Sequence, residues 1–85
     1  MGKTNDQRVT EYMDHQGTHG DTCDGIEDKL KIPHQTCSPL VLTMIRDGRL
    51  VLIEEYRRTR NGQLAQVMVL AKYAKAAQPK DRFFA

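Results

Sequence analysis

The sequence predicts an α+β domain, mainly α, in which three helices precede a two-stranded β-hairpin. Three observations predict it. Apolar residues recur at helical spacing in three successive segments before Gly48. After Gly48 two apolar, strand-length runs take over, at 50–56 and 66–71. Between them stands Asn61-Gly62, the strongest short hairpin signal, because both positions tolerate φ > 0. The 85 residues, 9.7 kDa in all, hold one core, since halving the chain would leave two pieces too small to fold.

The first helix is expected over 4–16. Thr4 or Asn5 caps it, Asp6 complements the positive end of its dipole, and Gly17 stops it. Its apolar stripe is narrow: Val9, Tyr12 and Met13. A turn follows at 17–20. The second helix starts from Thr22 as N-cap and runs to about residue 31, with Ile26 and Leu30 inward. Gly25 weakens it by ~1 kcal/mol relative to Ala. Ile32 ends that segment, because the residue before Pro33 avoids α geometry. Pro33 suits the first turn of a third helix, which runs to about residue 47 and stops at Gly48. Cys37, Val41, Met44 and Ile45 define its core face, while Pro39 removes one backbone bond and predicts a kink or a delayed start. The residues expected to be buried are Ile26, Leu30, Cys37, Val41, Ile45, Leu50, Leu52, Val67 and Val69. Residues 1–71 form the domain, and 72–85 form a basic tail, a frayed helix or a disordered extension.

Composition narrows the function classes. Hydrophobic residues make up 39% and charged residues 28%, and no apolar run reaches the roughly 20 residues of a membrane span. The N-terminus lacks the apolar stretch of a signal peptide, so a cytoplasmic protein is the default expectation. In that compartment Cys23 and Cys37 are thiols rather than a disulfide. Charge is uneven. Residues 1–32 carry four Lys/Arg and seven Asp/Glu, a net −3, whereas residues 33–85 carry nine and four, a net +5. A basic half fits a polyanion partner only weakly, and on charge alone a solvated basic surface is the favoured reading. Catalysis is not expected. There is no Gly-rich phosphate loop and no nucleophile motif, and Glu54 and Glu55 point to opposite faces of a strand.

Two short helices joined by a tight turn, then a hairpin with a basic tip, describe a winged helix-turn-helix. The stretch Thr22-Cys23-Asp24-Gly25-Ile26-Glu27-Asp28-Lys29-Leu30-Lys31-Ile32-Pro33-His34-Gln35-Thr36-Cys37-Ser38-Pro39 resembles small phage and prophage winged-helix proteins. In those, an acidic amphipathic helix ends in Leu-Gly-(Leu/Ile) and a recognition helix opens His-Gln-Thr-Val-Ser. The resemblance continues through Ile45-Arg46-Asp47-Gly48-Arg49-Leu50 and through 57–67, which is similar to the family's Arg-rich wing. It covers about residues 22–70. This chain departs from the pattern at Lys31, where the family has the inter-helix glycine, at Gly25, in place of an acidic helix former, and at Leu40 and Leu42, in place of polar or basic residues.

The resemblance implies a DNA-binding transcriptional regulator of phage type, working in the host bacterial cytoplasm. The residues themselves fit that chemistry. In a helix-turn-helix the first residues of the second helix meet base edges in the major groove. Here they are His34, Gln35, Thr36 and Ser38, of which Gln35 can pair bidentately with adenine. Arg57, Arg58, Arg60 and Asn61 lie at or near the wing tip, where arginine can enter the minor groove or hold the backbone. The expected partners are double-stranded DNA and a second copy of the chain, because one small module buries little surface on DNA. The rival reading is a protein-binding winged helix acting on a host protein, with Leu40 and Leu42 as its contacts, or a packaging or replication factor of the same fold. No cofactor is expected. Cys23, His34 and Cys37 could converge on a metal, yet no CxxC pair is present, so both cysteines read as small buried residues and no metal is expected.

Overall fold

A computed structural model describes residues 2–77. Its order is α1 (Asn5–Gln16), a 3₁₀ turn (Gly17–His19), α2 (Cys23–Leu30), α3 (His34–Arg46), β1 (Leu50–Arg58), β2 (Leu64–Leu70), a second 3₁₀ turn (Ala71–Tyr73) and α4 (Ala74–Ala77). This is the expected α+β arrangement of three helices and an antiparallel hairpin, compatible with a winged helix. No helix is long and apolar enough to cross a membrane among the described residues.

The helix ends follow local chemistry. Thr4 and Gln7 form a reciprocal capping box at α1. The Thr22 hydroxyl accepts from the Gly25 backbone N–H and caps α2. Pro33 sits one position earlier than expected, as the N-cap of α3, and α3 continues through Pro39 to Arg46. Lys31 takes the left-handed conformation, φ 57° and ψ 44°, so the lysine fills the position for which glycine is the ordinary choice.

The hairpin departs from expectation in three ways. Its connection spans the five residues 59–63, with a positive φ at Gly62 rather than at both Asn61 and Gly62, and closes through Thr59 N–H to Gln63 O at 2.7 Å and Gly62 N–H to Thr59 O at 2.9 Å. The register shifts between Leu52 and Tyr56, since Leu52 pairs with Met68 whereas Tyr56 pairs with Gln66. The Gln66 side-chain amide donates to the Ile53 carbonyl inside that bulge at 3.0 Å. Alternation holds up to the bulge, with Leu50 buried on the helix side and Ile53 on the opposite face, but Leu52, expected in the core, is 43% exposed in a cleft beside α3. Finally, the chain between α1 and α2 joins the sheet, as Asp21 exchanges two backbone hydrogen bonds with Met68. Gly20 makes that approach possible. Its φ is +63°, and a Cβ there would lie 2.2 Å from the Met68 carbonyl oxygen.

The core has two parts. Val9, Met13, Ile26, Ile32, Cys37, Val41, Met44, Leu50, Met68 and Leu70 pack between the helices and one face of the hairpin, with Leu30 and Ile45 half-buried at its edge. Ile53, Val67 and Val69 pack on the other face, covered by Tyr73 and Ala74. The tail expected from residue 72 is thus structured over 72–77, where it shields a second apolar face. Residues 78–85, with Lys80, Arg82, Phe83 and Phe84, lie outside the described residues.

Candidate nucleic-acid interface

The α3 face turned from the core carries His34, Gln35, Thr36, Pro39, Leu42, Thr43 and Arg46, all exposed. Ser38 is half-buried and turns toward the sheet, where it lines a cleft. Helical geometry explains the split, because 35, 39, 42 and 46 recur at three- and four-residue steps opposite Cys37, Val41 and Met44. Of the expected readers, His34, Gln35 and Thr36 share the first turn of α3. The His34 Nδ1 also lies 2.6 Å from a Glu27 carboxylate oxygen.

The wing arginines have three different surroundings. Arg57 lies within β1 rather than at the tip. Its guanidinium donates to the Gly20 and His19 carbonyls and is held by Glu55 at 2.7 Å. It braces the chain between α1 and α2. Arg58 is exposed and donates to the Gly62 carbonyl across the loop. Arg60 folds back onto the acidic face of α2. Its Nε and backbone N–H bond Asp24 at 2.9 and 3.1 Å, and its guanidinium lies 3.5 Å from Glu27 and 3.6 Å from Asp28. That contact holds the Asp24 carboxyl below its usual range and raises Arg60 in turn. Asn61 is exposed beside it. Among the more distal cations, Lys72 is bound to Asp14 at 2.9 Å and Lys75 is exposed.

His34, Thr59, Arg60, Asn61 and Gln63 line one cleft of about 610 Å³ between α2, the start of α3 and the wing. Cys23, Asp24 and Glu27 form its α2 wall. A second cleft of about 300 Å³ between α3 and the sheet is lined by Ser38, Val41, Leu42, Ile45, Leu52 and Met68. Leu42 is 47% exposed there, whereas Leu40 is half-buried and packs on the core.

Behind the first cleft the structure gathers residues that sequence spacing had left apart. The Cys23 and Cys37 sulfurs lie 4.0 Å apart, and the Cys23 thiol reaches Glu27 at 3.3 Å. The thiol–thiol contact and burial hold Cys23 protonated, while the same contact lowers Cys37. Among the described residues, Cys23, Glu27 and Cys37 form a group able to converge on one metal ion. Cys23 and Glu27 stand four apart on α2, and His34 and Cys37 three apart on α3. That pairing of one-turn spacings was visible in the sequence, but Glu27 read only as part of an acidic helix face.

Comparison with protein-family models, curated proteins and solved structures finds no match for the chain.

Proposed function

We propose that the chain binds duplex DNA with sequence preference, as a small winged-helix regulator of phage or prophage type. One observation carries the reading. His34, which opens α3, lines one cleft with the tip of the hairpin, and the exposed Gln35 and Thr36 follow it in the same helical turn, which supports a surface with base-reading side chains near a basic loop. On this reading Gln35 and Thr36 enter the major groove, Arg58 and Asn61 hold the adjacent backbone or minor groove, and His34 sits at the margin. Arg57 and Arg60 position the wing. A second copy of the chain supplies the other half-site.

Fluorescence anisotropy against a duplex library, read at several salt concentrations, tests this. Gln35→Ala should cost roughly 1–3 kcal/mol on the preferred duplex and relax choice at one base position. Arg58→Ala should weaken all duplexes alike and lower the salt slope by about one. If both variants bind every duplex as the wild type does, the surface is not a DNA reader.

A second reading is favoured by the apolar cleft between α3 and the sheet, where Leu42 and Leu52 stand 47% and 43% exposed. It is a protein-binding winged helix, with Leu42 rather than Leu40 as the residue to change first. Loss of a captured host protein on Leu42→Ser, with DNA binding unmoved by Gln35→Ala, would select it.

A further inference from the structure

We propose that Cys23, Glu27, His34 and Cys37 form a structural site for one divalent zinc-class ion that ties α2 to α3. The inference does not rest on DNA binding, although the site shares His34 and the cleft under the wing with that reading.

Geometry carries it first. A tetrahedral zinc ion with bonds of ~2.3 Å to sulfur holds two thiolates about 3.8 Å apart, and a thiolate and a carboxylate oxygen about 3.5 Å apart. The two sulfurs here stand 4.0 Å apart, and Cys23 Sγ stands 3.3 Å from Glu27 Oε2. Cys23, Glu27 and Cys37 place their ligand atoms within 4.8 Å of one another. Small side-chain shifts bring all three to bonding distance. His34 stands at the rim, one turn before Cys37, with its Nδ1 2.6 Å from Glu27 Oε2. Its side chain is 76% exposed, so little packing opposes rotation into the fourth position.

Chemistry carries it second. Two sulfurs with one imidazole and one carboxylate suit a borderline-soft, tetrahedral ion, and hard cations that demand oxygen ligands do not fit. Glu27 is only 8% exposed, and a carboxylate in such a place needs cationic partners. Its described neighbours are a thiol, an imidazole and the Arg60 guanidinium at 3.5 Å. Binding releases the protons of both thiols to solvent, and the resulting ion with two thiolates and one carboxylate carries one net negative charge, which Arg60 faces. The route in exists, because Cys23, Glu27 and His34 all line the cleft under the wing.

The ion would have a mechanical task. α2 and α3 meet through a strained left-handed Lys31, and a bond from each helix to one ion fixes their crossing. This reverses the expectation from the sequence, where scattered spacing argued against metal.

The test uses the full chain, reduced and stripped with chelator, then titrated with Zn²⁺ or Co²⁺. One ion should bind per chain, with a rise in Tm. Co²⁺ should give the visible bands of a tetrahedral site and a thiolate charge-transfer band. Cys23→Ser and Cys37→Ser should each cut that band by half or more, the double variant should abolish it, and His34→Ala should weaken binding tenfold or more while the chain stays folded. Should the cysteine variants not fold, alkylation of the wild type decides instead: Zn²⁺ should protect both thiols from iodoacetamide. Equal alkylation with and without Zn²⁺, with no charge-transfer band and no change in Tm, would leave a buried thiol pair and overturn the proposal. So would a Cys23–Cys37 disulfide as the resting form of the protein isolated without oxidant.

Discussion

Lys31→Gly should stabilise this protein, against the rule that glycine weakens helices. Lys31 follows the last residue of α2 with φ 57° and ψ 44°, and its N–H and that of Ile32 both donate to the Glu27 carbonyl. The chain cannot leave that conformation without losing the turn into α3. For a residue with a Cβ, left-handed geometry costs roughly 1–2 kcal/mol. Glycine escapes that cost but loses more freedom on folding, an offset of roughly 0.4–1 kcal/mol. The lost Lys31–Asp28 contact subtracts little, being 3.8 Å long with the lysine side chain 83% exposed. The balance is about 0.5–1 kcal/mol in favour of glycine. For a domain of this size that raises Tm by roughly 2–8 °C. Urea denaturation should show a higher midpoint at unchanged m-value. Lys31→Ala, which removes the ion pair and keeps the Cβ, should stay within about 0.5 kcal/mol of wild type. A glycine variant no more stable than the alanine variant would refute the reasoning, since strain at this turn would then be absent.

Gly20→Ala should act in the opposite direction. A Cβ there meets the Met68 carbonyl oxygen at 2.2 Å and the Val69 and Val67 side chains at 2.8 and 2.9 Å, so a loss of roughly 2–5 kcal/mol is expected in urea titration. The unequal cover on the two faces of β1 predicts unequal neighbours: Leu52→Ser should cost less than about 0.5 kcal/mol, and Ile53→Ala roughly 2–5 kcal/mol. The wing contact should be acid-labile. Arg60 holds the Asp24 carboxyl below its ordinary range, so the contact is fully present above ~pH 4 and is lost as pH falls through the depressed value. The Arg60 Nε–H resonance should be constant from neutral pH down to ~pH 5 and move only below that range. In Asp24→Asn that acid-induced movement should be absent.

The helices were legible because their signals are local. Thr4, Thr22 and Gly17 act within one turn of the chain, and the apolar stripes set which faces go inward. The failures all involve contacts distant in sequence. Leu52 obeys alternation and shares the face of Leu50, yet it lies in an open cleft beside Leu42 and Ile45, and how far α3 covers that face is set by residues distant in the chain. Arg57 reads as a tip residue until Gly20 and His19 present carbonyls to it from 37 and 38 positions away. Gly25 looks like a weak point in α2, yet a Cβ there would strike the Asp21 carboxylate at 2.0 Å. The tail reads as a basic frayed helix or extension with no packing partner, because the apolar face that Tyr73 and Ala74 cover exists only once β1 and β2 have paired.

These long-range contacts converge on α2. Its N-terminal acids hold Arg60 of the wing, Glu27 faces His34 of α3, and Cys23 meets Cys37. The strand bridge at Asp21 fixes the chain immediately before its N-cap. α2 is therefore the element through which the start of α3 and the wing tip are placed relative to each other. The acidic helix that contributes no reading residue on the duplex-binding reading would still set the angle between the two surfaces that do. Arg60 also has a competing partner on that reading. A phosphate approaching the wing meets a guanidinium already engaged by Asp24, whose contact is solvent-exposed on the arginine side. Exposed ion pairs are weak, so a phosphate can draw Arg60 away at small cost. The same exchange would free the acidic face of α2, leaving Asp24 and Asp28 to oppose the DNA backbone. On the duplex-binding reading Asp24 and Asp28 would thus limit how closely the tip at Arg60 approaches, while Arg58, bound among the described residues to the Gly62 carbonyl, would meet no such opposition.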